Sequence, residues 1–180
     1  MLRKGIRRLG HIVSPSLHAP ALPQVVDVAN KVVSFREASA EAFLRVSLPG
    51  TLPWWPEGIS EETVLTTTAS VAGVSAAKKC SALIPMCHNI PLHRVFVEVF
   101  RPVRDPQGLS WLVRVVCTSK TQGRTGVEME SLVGASVGAL TLYDMMKGIT
   151  GPSHLEITQV RLLSKTGGQS GAYDLKSNLS

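Results

Sequence analysis

The chain has 180 residues, enough for one domain with a substantial core, and its 44% hydrophobic and 18% charged residues are typical of a globular protein. No apolar run reaches the ~18 residues that a membrane span needs. The net charge of +6 does not indicate a nucleic-acid partner, because much of it lies in the first eight residues and no basic stripe is interleaved with aromatic residues. A local patch for a phosphorylated small molecule stays open.

Residues 1–23 contain basic residues and serines but no acidic residue. This composition is typical of an organelle-import presequence and favours a mitochondrial matrix protein, with a disordered basic tail on a cytoplasmic protein as the alternative. We therefore expect residues 1–23 to be disordered or removed. Residues 24–171 are then the folded domain, and residues 172–180 a C-terminal tail.

The three cysteines, Cys80, Cys87 and Cys117, form no C-x-x-C pair. An odd number of cysteines without a secretory signal indicates reduced thiols in a reducing compartment. A zinc site would need ligands at a tighter spacing than Cys80, Cys87 and His88 offer. The sequence therefore predicts no metal site.

The first predicted elements are a strand and a helix. Residues 25–28 begin the folded part, and Ala38–Val46 alternates with the period of a strand, although its alanines and glutamate also suit a short helix. The prolines and glycines of residues 48–60 predict a loop. Thr66–Thr68 can supply the N-cap of a helix over Ala69–Leu83, which a following proline ends.

Three further strands are predicted. Arg94–Arg101 and Ser110–Thr118 consist of alternating or branched residues, and the aspartate, prolines and glycine between them predict a hairpin. Residues 119–124 are expected to form a loop. Leu155–Leu163 is the last strand, and the glycine-rich residues 165–171 predict a loop after it.

A long buried helix is predicted between Thr125 and Lys147, because the residues between its charged ends are small or apolar. Gly134 and Gly138 leave strips on this helix where another element can approach closely. Gly148 is expected to end the helix.

The predicted order of elements is strand, helix, two strands, helix, strand. This order is typical of an α+β, ferredoxin-like (βαββαβ) fold, in which an antiparallel sheet carries helices on one face. The other face of the sheet needs a cover. In a chain this short, a second copy of the same chain is the expected cover, so we predict a homo-oligomer.

Charged residues mark both ends of the long helix. Asp144 and Lys147 share one helix face, either as a simple salt bridge with a capping lysine or as a pair that transfers protons. Glu128 and Glu130 cannot both line one face, so we expect an extended chain at Glu128. Lys147 follows Glu128 by nineteen residues, or ~28 Å if the segment is helical. If both ends are catalytic, one site must combine the start of one copy with the end of another.

Two other residues are candidates for chemistry. His88 lies in a loop, where it is either a structural histidine or one that binds phosphate or transfers a proton. Lys165 precedes a pair of glycines, which indicates either a loop that cradles phosphate or a plain turn at the end of a strand.

Four stretches of the chain together resemble the cyclic pyranopterin monophosphate synthases, the MoaC family of molybdenum cofactor biosynthesis. They are LIPMCHNIPL, TGVEMESL, ALTLYDMMK and RLLSKTGGQSG, in this order. VVDV near the start and AGVSAAKK in the first predicted helix fit the same pattern. The resemblance covers Val25 to Gly171 and makes this span a MoaC-like catalytic domain.

The resemblance implies a phosphorus–oxygen lyase. Its reaction converts (8S)-3′,8-cyclo-7,8-dihydroguanosine 5′-triphosphate, a cyclised GTP, to cyclic pyranopterin monophosphate and pyrophosphate. The family fold is ferredoxin-like and assembles as a homohexamer, a trimer of dimers, with active sites between subunits. The resemblance implies no built-in cofactor and leaves open whether Mg²⁺ accompanies the triphosphate.

Matching positions carry the family's site residues onto this chain. The resemblance implies that the catalytic residues are Asp144, Lys147 and Lys165, and that the substrate-binding residues are Met86, Cys87, His88, Glu128, Met129 and Glu130. In these roles the lysines can offset charge on the triphosphate and the leaving pyrophosphate. The aspartate can act as a general acid and base, and the histidine and glutamates can hold the substrate rings in register.

The sequence departs from the family pattern just before the first helix. The family carries K-G-D there, and the ungapped match places Glu62 on the lysine. Either another cation, such as Lys120 or Arg124, compensates, or the activity is reduced or lost. The alternative function is therefore a catalytically silent homologue that binds nucleotide or serves as a structural partner subunit.

Overall fold

The structure of the chain is a computed structural model, and it describes residues 12–13, 22–48, 55–56, 58–168 and 171–175. Its elements in chain order are β1 (Ile12–Val13), β2 (Leu22–Pro23), β3 (Ser34–Val46), α1 (Ile59–Lys78), α2 (Cys80–Leu83), β4 (Arg94–Val99), β5 (Val103–Arg104), β6 (Trp111–Gly123), α3 (Glu128–Thr150), a 3-10 turn (Pro152–His154), β7 (Leu155–Thr166) and β8 (Tyr173–Asp174). Most of the predicted presequence lies outside the described residues. Within it, β1 and β2 pair with each other.

One antiparallel sheet has the strand order β4-β6-β3-β7-β8, and β5 also pairs with β6. The predicted order of strand, helix, two strands, helix, strand is present in β3, α1, β4, β6, α3 and β7. The strand prediction for Ala38–Val46 is confirmed, and β3 starts earlier, at Ser34. Its inward residues Ala38, Ala40 and Ala42 are buried beneath the helices. Small side chains on this face allow α3 to lie close to the sheet.

Helix α1 begins at Ile59, well before the predicted start. The predicted threonine cap is wrong, and the predicted loop over residues 48–60 is wrong at residues 59–60. Residues 49–54 and 57 of that loop lie outside the described residues. Thr66 Oγ1 donates to the carbonyl oxygen of Glu62 at 2.8 Å, and Thr68 Oγ1 donates to that of Val64 at 2.7 Å. A threonine hydroxyl can bond back one turn inside a helix as well as cap its start. The sequence alone did not separate these two uses.

The predicted helix over Ala69–Leu83 is interrupted at Lys79, where α1 ends and the short helix α2 follows. Its predicted end at Leu83, before the proline, is confirmed. Residues 86–89 form the expected connection to the next strand.

Helix α3 follows the predicted course but differs at both ends. It begins at Glu128, so the expected extended chain there is wrong. It continues through Gly148 to Thr150, so the predicted stop at Gly148 is also wrong. Gly151 caps the helix, and its φ of 78° is the backbone conformation that favours glycine. A glycine inside a helix costs about 1 kcal/mol, which packing of a long helix can offset.

Strands β6 and β7 are both longer than predicted. β6 continues to Gly123, through the residues expected to form a loop, and β7 continues to Thr166. Ser119 and Thr121 are polar, yet both are buried on the inward face of β6. Thr121 Oγ1 donates to the carbonyl oxygen of Pro91 at 2.6 Å. Hydrogen bonds of this kind make polar residues compatible with a buried strand.

Helices α1 and α3 pack closely and run antiparallel. A Cβ atom on Gly73 would lie 2.7 Å from the carbonyl oxygen of Gly134, and one on Gly138 would lie 3.5 Å from that of Ala69. On its sheet side, a Cβ atom on Gly134 would lie 2.5 Å from the Cys117 sulfur. The predicted close approach at these glycines is confirmed. The start of α1 therefore lies beside the end of α3.

Two findings bear on ligand classes and are limited to the described residues. No helix there combines the length and apolarity needed to cross a bilayer. Nor do histidine, cysteine, aspartate and glutamate side chains there form a group of three that could hold a metal ion.

Candidate active site

A cavity of about 180 Å³ lies between the first turn of α3 and the connection that follows α2. Its walls are Cys87, His88, Ile90, Thr125, Gly126, Glu128, Met129 and Glu130. The fold thus brings together five of the six predicted substrate-binding residues from two separate stretches of sequence. The sixth, Met86, is half-buried beside Cys87 but does not line the cavity.

Lys165 joins this site from the sheet. Its Nζ lies 3.1 Å from Glu128 Oε1, and the two side chains are 26% and 29% exposed. Lys165 pairs with Ala38 across β3 and β7, so its side chain leaves the sheet on the face that carries the helices. Gly126 makes room for the contact, because a Cβ atom there would overlap the Glu128 carboxylate.

The turn after Lys165 is packed rather than open. The prediction that Lys165 belongs to a glycine-rich loop is wrong, because Lys165 lies in β7. Gly167 and Gly168 both have a φ of 83°, which favours glycine. Cβ atoms on them would overlap the carbonyl oxygen of Phe35 and the guanidinium of Arg36. The contact with β3 favours a turn at the end of a strand over a loop that cradles phosphate.

Glu130 is a buried carboxylate in the cavity wall, with only 4% of its surface exposed. Burial raises its pKa, and the nearby charge of Glu128 raises it further. Hydrogen bonds from its own backbone N–H and from Cys80 act in the opposite direction without cancelling the effect of burial on the pKa. A carboxyl with a raised pKa, at a cavity wall, can both accept and return a proton.

Two thiols lie against Glu130. Cys80 is 2% exposed and interacts with both Glu130 and Cys87, and Cys87 lines the cavity. Burial raises the pKa of both thiols, so they are protonated at neutral pH. Cys80 was not among the residues predicted for the site. The signal available was its position seven residues before Cys87.

His88 is oriented by the segment that precedes β3. Its Nε2 lies 2.7 Å from the carbonyl oxygen of Val26. A carbonyl oxygen only accepts, so Nε2 carries the proton in this bond. The other ring nitrogen, Nδ1, is then the one that can take up a proton from a ligand.

Asp144 and Lys147 lie at the far end of α3. Lys147 Nζ is 2.5 Å from Asp144 Oδ1, and the side chains of Lys147 and Asp144 are 53% and 70% exposed. The hydrogen bond to Asp144 raises the pKa of Lys147. At ~1.5 Å per residue of helix, this pair is ~24–28 Å from Glu128. One chain therefore does not bring the predicted catalytic pair to the cavity, nor bury it.

Glu62, which stands on the family's lysine, also has a cationic partner. Its Oε1 lies 2.9 Å from Arg101 Nε, and its side chain is 22% exposed. Because α1 starts where α3 ends, this ion pair lies at the same end of the molecule as Lys147. That another cation, such as Lys120 or Arg124, compensates for Glu62 stays a prediction. Lys120 Nζ lies 2.7 Å from Glu37 Oε2.

Comparison with known proteins decides the family. The model of the MoaC family matches residues 25–168. The chain belongs to the MoaC family. A relative from Nostoc sp. (strain PCC 7120 / SAG 25.82 / UTEX 2576), named cyclic pyranopterin monophosphate synthase, is 43% identical over 150 residues. The aligned part covers 83% of this chain and 84% of that relative.

The MoaC match confirms the resemblance drawn from the four sequence stretches. It extends over the cavity, over Lys165 and over the Asp144–Lys147 end of α3. Residues 1–24 and 169–180 lie outside the match. Every candidate residue of the site is therefore inside the MoaC region of the chain.

Proposed function

We propose that this MoaC-family chain is a cyclic pyranopterin monophosphate synthase, a lyase of molybdenum cofactor biosynthesis. Its substrate is the cyclised GTP, and its products are cyclic pyranopterin monophosphate and pyrophosphate. The family match and the relative of that name support this assignment. The structural observation that carries it is the cavity where His88, the paired glutamates and Lys165 meet.

Closing the cyclic phosphate sets the chemical demands on the site. A substrate hydroxyl oxygen attacks the α-phosphorus, the bond from that phosphorus to the pyrophosphate oxygen breaks, and the hydroxyl proton passes to a base. Lys165 and Lys147 offset the charge on the triphosphate and the leaving pyrophosphate. Asp144 exchanges protons during the ring rearrangement, while His88 and the glutamates hold the rings. Mg²⁺ enters this proposal only as a counterion on the phosphate oxygens.

The size of the cavity supports a site that is shared between subunits. Sites for small molecules and cofactors have volumes of about 300–1,000 Å³, whereas the cavity of one chain has about 180 Å³. The Asp144–Lys147 pair is meanwhile exposed at the far end of α3. Both facts are explained if that end of a neighbouring subunit completes the cavity. We propose that the assembly is a homohexamer, a trimer of dimers.

The surface of the helices supports self-association. Among the described side chains of α1 and α3, four apolar ones are more than half exposed, namely Val64, Val71, Leu140 and Ile149. An apolar cleft of about 420 Å³ lies between the start of α1 and the end of α3. Exposed apolar surface of this kind marks protein interfaces.

The strand order β4-β6-β3-β7, with both long helices joining the strands, supports the ferredoxin-like assignment.

The ion pair of Glu62 bears on the alternative of a silent homologue. An unpaired anion near a triphosphate would oppose binding. The guanidinium of Arg101 neutralises Glu62, so the pair adds no net negative charge at this end of the molecule. We therefore favour the active enzyme.

The composition of residues 1–23 supports a further proposal, that the chain is imported into mitochondria. Fusion of a fluorescent protein to the full chain tests this. Mitochondrial fluorescence is expected, and it should be lost when Arg3, Lys4, Arg7 and Arg8 are replaced by glutamine. Cytoplasmic fluorescence of the unaltered fusion contradicts the proposal.

Mixed assemblies test the function and the shared site together. Glu128→Gln and Asp144→Asn should each abolish pyrophosphate release from the cyclised GTP. When the two variants are unfolded together and reassembled, about a quarter of the sites should combine an intact start of α3 with an intact end, and activity should return.

A matched control uses two variants with defects at the same end. Glu128→Gln mixed with Lys165→Met leaves no site intact, so no activity should return. Recovery in this control, or none in the first mixture, contradicts a shared site. An unaltered assembly that binds the cyclised GTP without releasing pyrophosphate contradicts the enzyme assignment itself.

A further inference from the structure

Cys80 and Cys87 are brought together by two successive turns of the backbone. The Ile84 N–H donates to the carbonyl oxygen of Cys80 at 2.8 Å, and the Cys87 N–H donates to that of Ile84 at 3.0 Å. The chain thereby folds back on itself. Cys87 packs against the apolar cluster that contains Cys80 and Val133. Both cysteines are free thiols in the structure.

Cys80 interacts with Glu130 on one side and with Cys87 on the other. An ionised carboxylate only accepts, so the single proton of the Cys80 thiol is donated to Glu130. Cys87 and Glu130 both line the cavity, whereas Cys80 lies beneath it. Cys80 is thus a positioning residue for Glu130.

We propose that Cys80 and Cys87 close to a disulfide under oxidising conditions, and that this bond switches off the cavity site. Glutathione disulfide is a sufficient oxidant. The two thiols give up two protons and two electrons as the S–S bond forms, and the oxidant leaves as two molecules of glutathione. Oxidation removes the thiol proton that Cys80 donates to Glu130. The effect on turnover rests on the proposed function, whereas the formation of the bond does not.

The rate of this reaction should depend on pH. The thiolate is the attacking species in disulfide exchange, and burial raises the pKa of both thiols. The rate should therefore increase about tenfold per pH unit at mildly alkaline pH. Near neutral pH the pair should stay reduced for longer than an exposed thiol does.

A single peptide reports the bond. Trypsin cleaves after Lys79 and after Arg94, so Cys80 and Cys87 stay in one peptide, while Cys117 lies in another. The full chain is incubated with glutathione disulfide, alkylated and digested with trypsin, and the masses of the peptides are measured. We expect the Cys80–Arg94 peptide to carry no alkyl group and to lack two hydrogen atoms. Turnover should fall in parallel and return with dithiothreitol.

Variants separate the pair from other effects of the oxidant. Cys80→Ser and Cys87→Ser cannot form the bond, so each should keep its own starting rate in glutathione disulfide. Cys117→Ser should respond as the unaltered chain does. The proposal is overturned if the bond does not form under conditions in which the urea-unfolded chain forms it, or if it forms without loss of turnover. A chain that forms the bond but has no turnover in dithiothreitol contradicts the proposed function and not the thiol pair.

Discussion

Lys165 Nζ and Glu128 Oε1 lie 3.1 Å apart, and this ion pair joins the end of β7 to the first turn of α3. Both partners are about three-quarters buried in one chain. The pair places a cation beside a cavity whose other charged groups are carboxylates. Lys165 is therefore a counter-charge for a triphosphate that enters the cavity.

The first prediction concerns this lysine. Lys165→Met should lower turnover by about a hundredfold, because a cation that stabilises the leaving pyrophosphate is lost. It should lower the free energy of unfolding by only about 1 kcal/mol, since the pair is partly exposed. Pyrophosphate release and urea unfolding measure the two effects. Arg45→Met is the control, because Arg45 forms an exposed pair with Glu156 across the same two strands. Equal losses of turnover in both variants would contradict the role of Lys165.

The second prediction concerns stability and pH. Burial raises the pKa of Glu130 above its ordinary value of 4.5, so the folded chain binds this proton more tightly than the unfolded chain. Stability is then lost as the pH rises from 4.5 through the raised pKa. Glu130→Gln removes the buried charge and should raise the melting temperature at neutral pH but not below pH 4.5. Thermal unfolding at both pH values measures this. Glu98→Gln, at an exposed position, should show no such difference.

The third prediction concerns the Cys80 thiol. Its hydrogen bond lowers the pKa of Glu130, so Cys80→Ala should move the acid limb of the pH–turnover profile to higher pH. Cys80→Ser can still donate, and its profile should return towards that of the unaltered chain. Pyrophosphate release measured across the pH range gives both profiles. Identical profiles for the alanine and serine variants would mean that Cys80 only fills space.

The fourth prediction compares two glycines of α3. A Cβ atom on Gly134 would lie 2.5 Å from the Cys117 sulfur, whereas a Cβ atom on Gly148 would meet nothing within 4 Å. Gly134→Ala should therefore destabilise the fold by about 1–3 kcal/mol. Gly148→Ala should stabilise it by about 0.5–1 kcal/mol, because alanine favours the helix. Urea unfolding of both variants checks the opposite signs. A stabilising Gly134→Ala would contradict the close packing at that glycine.

The fold was predictable where one residue pattern had one structural meaning. The apolar stretch between Glu128 and Lys147 could be buried only as a helix, and the alternation in β3 favoured a strand although its alanines also suited a short helix. Prediction failed where a residue has two uses. Thr66 could cap a helix or bond back within it, and Thr121 could lie in a loop or bond to a distant carbonyl oxygen. Such choices depend on contacts between segments that are far apart in sequence.

The site was predictable only in part for the same reason. The family motifs supplied Glu128, Glu130 and His88. Helix geometry alone indicated that Asp144 is remote from the two glutamates of the same chain. The partner of Glu62 could not be predicted, because Arg101 reaches it only through the packing of β4 beside α1. The contact of Cys80 with Glu130 likewise depends on how α2 meets α3.

Helix α3 spans 23 residues, from Glu128 to Thr150, and it fixes the separation of its two charged ends. If each active site combines the start of α3 from one chain with the end of α3 from another, a single chain is inactive and activity requires association. Specific activity should then fall on dilution, and below the dissociation constant of the assembly the total rate should follow the square of the protein concentration. The length of one helix would thus make the rate of this pathway step increase more than proportionally with the concentration of the protein in its compartment.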